Sequence, residues 1–432
     1  MGKYFGTDGI RGIALEAINE TIAFRVGQGL SKAFDIKQVV IGHDTRQSSP
    51  LIAYLIGYGA LSQGLDVYFA GVCSTPMLAH YAKEVHMIGI MVTASHNSYT
   101  DNGIKVLNQG YKSTPEEEAI IEDVIDHPLT DLKPSGRFEI THDFSKSYER
   151  IYEAFPMFKS PLKIVYDSAN GGNYVIAKQM FDRYTRTSVH LGNEPDGLNI
   201  NVDCGSTHMN HIQAYVKNHQ YDIGFSFDGD GDRLLVCDQN RIYSGDEIIY
   251  MIARFLRKHE QLKDNHVVLT KMSNPGLLKA LREDNITYTL TDVGDKYVTD
   301  VLLKNDYAIG GENSGHIVIN TLLHTGDGLL AAIYLLYVLT IENKKLEEAI
   351  SDYVPYPYRL VNVENVDKSI LKTEQTVRFL AHIKKDLGDD ALLLVRASGT
   401  EPLVRITVSH KDQSVVDQTI DKIVKYIHIG SE

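Results

Sequence analysis

Ser95 and His96 lie in the run Met91-Val92-Thr93-Ala94-Ser95-His96-Asn97, with Asp101-Asn102-Gly103-Ile104-Lys105 close behind. The apolar stretch from Met87 to Val92 predicts a buried strand, and the chain then turns abruptly polar. Ser95 is therefore expected at the carboxyl end of that strand, where open α/β sheets bind their ligands. A hydroxyl beside an imidazole is the pattern of a nucleophile with its base, and taken alone it is also the pattern of an ordinary loop.

A second run, Asp228-Gly229-Asp230-Gly231-Asp232-Arg233, follows the apolar-rich strand predicted over 222–227. Three carboxylates at alternate positions can converge on one hard cation, and the glycines between them let the backbone turn without Cβ clashes. Oxygen donors of this kind suit Mg²⁺ or Ca²⁺. A calcium loop of the EF-hand type would need Gly at its sixth position and Glu at its twelfth. Counted from Asp228, those positions hold Arg233 and Gln239, so Mg²⁺ shared with a phosphate is the better expectation. Arg233 stands next to it as a phosphate partner.

A third run, Gly310-Gly311-Glu312-Asn313-Ser314-Gly315-His316, follows a short apolar strand at 307–309. On an extended segment Glu312 and Ser314 would point the same way and could hydrogen-bond vicinal hydroxyls, with His316 next along that face for proton transfer. A fourth run, Arg396-Ala397-Ser398-Gly399-Thr400-Glu401-Pro402, comes straight after a strand at 391–395 and is followed by Arg405. Two hydroxyls, a glycine that lets backbone N–H groups turn inward and flanking guanidiniums make a phosphate cradle.

The elements that must position these runs are α/β in character, because strand and helix patterns alternate for most of the length. At 432 residues the chain exceeds one ordinary core. One unit recurs: a β-branched strand, a polar turn and a helix, opening at Val39, at Lys163 and at Val267. This spacing predicts three similar domains in series. Thr114-Pro115-Glu116-Glu117 predicts a helix start with a threonine cap and a reciprocating Glu117. Breaks at 128–136, near Gly245 and at Pro355-Tyr356-Pro357 divide the chain into expected domains at 1–150, 151–250, 251–357 and 358–432. The last reads as strand, helix, strand, helix, enough for a small α+β cap.

The net charge of −13 argues against a broad nucleic-acid or anionic-membrane surface. It leaves room for a small anionic substrate held by a local cluster of Arg and Lys. Cys73, Cys204 and Cys237 are far apart and form no metal-type or redox-type pair, which points to a reducing, cytoplasmic compartment. No signal-peptide pattern is visible at the amino terminus. The longest apolar run, Leu329 to Ile341, is too short to span a bilayer and predicts a buried helix starting after Asp327.

Taken together, the four runs in this order resemble the α-D-phosphohexomutases over nearly the whole chain, beginning at Tyr4-Phe5-Gly6-Thr7-Asp8-Gly9-Ile10-Arg11-Gly12. The stretches 195–201, 204–208, 292–298 and 325–330 look like the phosphoglucosamine branch, whereas Asn313 stands where the family more often has Gln, and Ser98 where it often has Pro. The resemblance implies four domains around a central cleft: three α/β domains and a smaller mobile cap. It implies a phosphoserine at Ser95 and Mg²⁺ held by Ser95, Asp228, Asp230 and Asp232. Glu312 and Ser314 would grip the sugar. Arg396, Ser398, Gly399, Thr400 and Arg405 would hold its distal phosphate, and Lys105 or His316 would transfer protons. Arg11, His96 and Arg233 would line the phosphate at the serine. The implied reaction interconverts glucosamine 6-phosphate and glucosamine 1-phosphate through glucosamine 1,6-bisphosphate, supplying amino sugar for cell-wall precursors. A glucose or mannose phosphate mutase is the alternative. The partner expected is this small phosphosugar, and the sequence carries no reading of oligomeric state.

Overall fold

Three sheets repeat one topology, and in each the candidate run is a hairpin connection. The computed structural model describes every residue except Met1, Thr7, Pro134, 398–402 and Glu432, and the side chains up to His428. In the first sheet, Gln38–His43 pairs in parallel with Asp66–Val72 on one side and Ile88–Val92 on the other. Asp101–Asn108 then returns antiparallel to Ile88–Val92, so Ser95 lies between those two strands. In the second sheet, Ser160–Asp167 pairs in parallel with Thr185–Leu191 and Ile223–Phe227, and Leu234–Cys237 returns antiparallel. In the third, His266–Thr270 pairs in parallel with Thr287–Thr291 and Ile309–Gly311, and Ile317–Ile319 returns antiparallel. The recurrence expected from the three openings at 39, 163 and 267 is thus real, and it extends to where the functional loops sit.

The first sheet is larger because Gly9–Ile13 and Phe5–Gly6 add beyond Asp101–Asn108, and Phe138–Ile140 adds at the opposite edge. Ile88–Val92 is buried along its whole length, as a parallel strand covered on both faces must be. Helix Pro115–Asp126 starts with the expected capping box, in which Thr114 Oγ accepts from Glu117 N at 3.2 Å and the Glu117 carboxylate accepts from Thr114 N at 2.8 Å. Helix Gly328–Glu342 is apolar on nearly all sides and begins at an Asp327 cap, as expected. Among the described residues no helix is long and apolar enough to cross a membrane.

One continuous apolar core runs from Val40 to Tyr353 through all three α/β domains. The fourth domain has its own core, built from residues between Val363 and Ile427. Its element order corrects the expected strand, helix, strand, helix. A further strand, Leu403–Ser409, lies at the centre of the sheet between Tyr358–Glu364 and Leu392–Ala397. Its polar members Arg405 and Thr407 obscured it in the sequence, but its apolar residues Val404, Ile406 and Val408 are fully buried.

Candidate active site

Ser95 sits in the left-handed region at φ +53°, which a serine seldom adopts. The turn that enforces this begins at Thr93, whose hydroxyl accepts from Ser95 N at 2.9 Å. Arg46, buried behind the loop, donates to the carbonyls of Ser95 and Asn97 at 3.0 Å each and of Asp101 at 3.1 Å, and also to Ser98 O. Its own geometry is held by Asp44, paired with its Nε at 2.9 Å with both side chains fully buried. From the second domain, Asn201 donates to Ser95 O at 2.9 Å and Asn97 O at 3.0 Å. The serine loop is therefore fixed by its backbone, which leaves the hydroxyl available to the second domain.

That hydroxyl donates to Asp228 Oδ2 at 2.7 Å. Asp228, Asp230 and Asp232 are all buried, and one oxygen from each lies within 4.8 Å of the others. Gly229 permits the approach of the two loops, since a Cβ there would meet Ser95 O at 2.6 Å. Gly231 turns the loop at φ +74°. Burial, reinforced by the like charges of Asp232 and Asp230, pushes the Asp228 carboxyl well above the usual carboxylate range. Asp230 Oδ1 and Asp232 Oδ1 are buried with no hydrogen-bond partner. Three converging carboxylates with unsatisfied oxygens fit a hard divalent cation.

Two cations close the cluster. Lys105 Nζ lies 2.8 Å from Asp230, 3.1 Å from Asp8 and 3.4 Å from Asp232. Burial opposes its charge, but Asp230, Asp8 and Asp232 together hold the ammonium well above its ordinary pKa. His316 lies between Asp232, 3.7 Å from Nδ1, and Asp295, 3.6 Å from Nε2. Burial opposes the imidazolium here too, and the two carboxylates outweigh it and hold the pKa up at about 9. His96 is the opposite case. Its Nδ1 lies 3.4 Å from Ser95 Oγ, and burial beside Arg233 and Arg11 holds it down at about 4. Arg11 pairs with Asp8, and Arg233 lies 3.8 Å from Asp232 and 3.9 Å from Asp228. The Nε of each arginine is buried with no hydrogen-bond partner.

The sugar run departs from the expected extended geometry. Residues 312–316 form a tight turn, in which Gly315 N donates to Glu312 O at 3.0 Å and Glu312 N to His316 O at 2.9 Å. The reason is topological, because Ile309–Gly311 and Ile317–Ile319 are antiparallel neighbours and five residues must reverse the chain. Glu312 is half-buried and accepts from Gly294 N at 3.0 Å, while Ser314 is exposed. Arg396 and Arg405 face each other in register on the cap sheet rather than in the buried network of the first three domains. The other expected cradle residues, Ser398, Gly399 and Thr400, lie outside the described residues.

Sequence reasoning missed Arg46, Asp44, Asn201, Asp8, Lys112, Asp295 and Thr75. Thr75 Oγ1 donates to Asp230 at 2.6 Å, and Lys112 bridges Asp8 at 2.7 Å to Asp295 at 2.6 Å across two domains. Asp44 and Arg46 alternate in the polar turn of a domain opening, but a solvated turn has the same pattern, so their spacing carries no signal of the clamp.

Family models match the chain in order. Phosphoglucomutase/phosphomannomutase α/β/α domain I covers residues 2–130, domain II 143–242 and domain III 244–356, and the C-terminal domain covers 360–425. The chain belongs to the phosphoglucomutase/phosphomannomutase family. That membership makes it a phosphohexomutase, hence an isomerase, built of three α/β/α domains and a smaller fourth. Among its relatives, the phosphoglucosamine mutase of Bacillus cereus (strain B4264) is 38% identical over 448 residues and covers 100% of both chains. The phosphoglucosamine mutase of Lachnoclostridium phytofermentans is 39% identical over 438 residues and covers 98% of each. Among solved structures, a phosphoglucomutase/phosphomannomutase family protein of Burkholderia thailandensis superposes with a TM-score of 0.84 at 22% identity, covering 99% of this chain and 98% of that one. N-acetylphosphoglucosamine mutase of Aspergillus fumigatus, solved with GlcNAc-6P and magnesium, gives 0.65 at 17% identity over 100% and 96%.

Proposed function

We propose that the chain interconverts glucosamine 6-phosphate and glucosamine 1-phosphate, with Ser95 carrying a phosphoryl group between turnovers. The observation that carries this reading is the junction of the Ser95 hydroxyl with the buried Asp228, Asp230 and Asp232 cluster at 2.7 Å. Full-length likeness to relatives named phosphoglucosamine mutase supports the choice of sugar.

In the proposed cycle the P–O bond of phospho-Ser95 breaks as a substrate hydroxyl oxygen bonds to phosphorus, giving glucosamine 1,6-bisphosphate. The bisphosphate turns end for end, and Ser95 Oγ takes the other phosphoryl group. Asp228, Asp230 and Asp232 would hold Mg²⁺, together with an oxygen on Ser95. When bound, the ion neutralises charge on the transferring group. The carboxylates beside Lys105 and His316 favour their charged forms, and we assign both to proton transfer to or from the sugar hydroxyl. Neutral His96 supports the phosphate at Ser95 as a hydrogen-bond partner, and Arg11 and Arg233 do so with Nε groups that have no other acceptor. Glu312 and Ser314 would hold the sugar hydroxyls. Arg396, Ser398, Gly399, Thr400 and Arg405 would anchor the phosphate that is not reacting, so that remote binding orients the reacting end. The free, buried Cys73, Cys204 and Cys237 suit a cytoplasmic setting.

The second reading is a glucose or mannose phosphate mutase of the same family. Side-by-side kinetics on the 6-phosphates of glucosamine, glucose and mannose decide between them. The expectation is a kcat/KM for glucosamine 6-phosphate at least about tenfold above the others, the scale of one net hydrogen bond worth about 0.5–1.5 kcal/mol. A glucose or mannose preference overturns the sugar assignment. Intact mass should show one phosphate on Ser95, and full activity in Ser95→Ala would overturn the mechanism.

A further inference from the structure

The link between the third domain and the cap is Pro355-Tyr356-Pro357. Prolines carry no N–H, so Tyr356 supplies the one backbone donor in this link. Asn274 takes both backbone polar groups of Tyr356: its Nδ2 donates to Tyr356 O at 2.8 Å, and Tyr356 N donates to its Oδ1 at 2.9 Å. The next residue belongs to the cap, where Pro357 O accepts from His410 N at 3.2 Å and from Ser409 Oγ at 2.9 Å. Tyr353, just before the link, is buried in the core of the first three domains. The change from body-held to cap-held backbone therefore falls at one junction, Tyr356 to Pro357. The cap has a separate core, and an exposed Arg282–Asp390 ion pair at 2.8 Å also crosses to it. Units joined in this way move relative to one another unless a large apolar interface prevents it.

Asn274 is itself tied to the sugar run. Its backbone N donates to Asp246 Oδ2 at 2.9 Å, and the same carboxylate accepts from Asn313 Nδ2 at 3.2 Å. Ser273 Oγ holds the other oxygen of Asp246 at 2.9 Å, and Gly245 N donates to Asn313 O at 3.0 Å. Asp246 is fully buried, so this carboxylate has little freedom to exchange partners with water.

We propose that Asn274 is a positioning residue: it fixes the cap pivot at the Tyr356–Pro357 junction and, through Asp246, registers that pivot to the sugar loop at 312–316. A cap carrying Arg396 and Arg405 can meet the distal phosphate only if its pivot keeps a set relation to the loop that holds the sugar. This rests on the proposed mutase reading for its kinetic consequence alone.

The test separates the role of Asn274 in capping helix Pro275–Glu283, where its Oδ1 accepts from Gly276 N at 2.9 Å, from its role at the pivot. Asn274→Ser keeps a capping oxygen but is too short to bridge Tyr356. Expected are an amide exchange rate at Tyr356 about tenfold or more above wild type, a KM raised about tenfold and a kcat within about twofold. Kinetics use whichever hexose 6-phosphate the wild type turns over best, so a wrong sugar assignment leaves the test intact. Unchanged exchange at Tyr356, or faster exchange with unchanged KM, overturns the proposal. Asn313→Ala cuts the relay at its far end without touching the helix, and it decides the matter if the serine variant loses cooperative folding. Faster exchange at Tyr356 in Asn313→Ala supports registration to the sugar loop, and unchanged exchange refutes it.

Discussion

The Ser95 hydroxyl donates to Asp228 at 2.7 Å, joining two loops 133 positions apart in the chain. Each loop is a hairpin connection in its own sheet, so the contact is made by the docking of two domains and not by either fold alone. It gives the Ser95 oxygen a fixed place beside the buried cluster of Asp228, Asp230 and Asp232.

Those carboxylates could hold a divalent cation in the folded protein. Millimolar Mg²⁺ should raise the melting temperature of metal-stripped protein, since a ligand bound by the folded state alone at 100 times its Kd stabilises by about 2.7 kcal/mol. Asp228→Asn should remove most of that increment. Differential scanning calorimetry with and without Mg²⁺ checks this, and an equal shift in the variant would contradict the assignment of the ligands.

Arg46 gives the serine loop its shape by donating to four carbonyls between Ser95 and Asp101. Lysine keeps the charge beside Asp44 but lacks the planar fork. Arg46→Lys should cost about 2–4 kcal/mol of stability, because buried groups lose their partners. It should also lower kcat about tenfold or more through misplacement of Ser95. Urea denaturation and steady-state kinetics test the two parts, and a variant normal in both would show that the loop holds itself.

Asp327 caps the apolar helix Gly328–Glu342 by accepting from Leu330 N at 3.0 Å, and it also accepts from the Tyr148 hydroxyl. Burial pushes its carboxyl up to about 6. An acid whose folded pKa lies above its unfolded value, near 4, favours folding in its protonated form. That contribution is fully present below about pH 4 and is lost as pH rises through 6. Asp327→Asn keeps an acceptor for Leu330 and removes the titration. Its stability should exceed wild type by on the order of 1–3 kcal/mol at pH 8, with the gap narrowing towards pH 4. Urea midpoints at the two pH values measure this, and a gap independent of pH would contradict it.

The cap core contains no residue of the first three domains. Excising residues 396–402 and closing the hairpin should leave the main thermal transition of those domains in place. Turnover should fall about 100-fold or more, because each charged hydrogen bond lost to phosphate is worth about 1.5–3 kcal/mol. Calorimetry paired with an activity assay distinguishes this from general unfolding.

The candidate loops were legible because they are local. Ser95 after an apolar strand, three aspartates spaced by glycines and Asp327 before an apolar helix are each readable within about ten residues, and each stands where that pattern places it. The capping box at Thr114 and Glu117 is local in the same sense. The turn at 312–316 was misread because alternation of side chains assumes an extended strand, and only the pairing of Ile309–Gly311 with Ile317–Ile319 makes it a reversal. Strand Leu403–Ser409 was missed because the burial of its neighbours, not its own composition, makes it central.

Arg46, Asn201, Lys112 and Asp295 were beyond the sequence for a different reason. An arginine or asparagine in a polar turn has the same local pattern whether it is solvated or clamps a distant carbonyl. Arg46 reaches Ser98 across 52 positions, Asn201 reaches Ser95 across 106, and Lys112 reaches Asp295 across 183. Side-chain type and short-range periodicity determined which groups could do the chemistry and at which strand ends they stand. The docking of three repeated sheets decided which of them meet, because one continuous apolar core forces the hairpin ends together and excludes the water that would otherwise separate their charges.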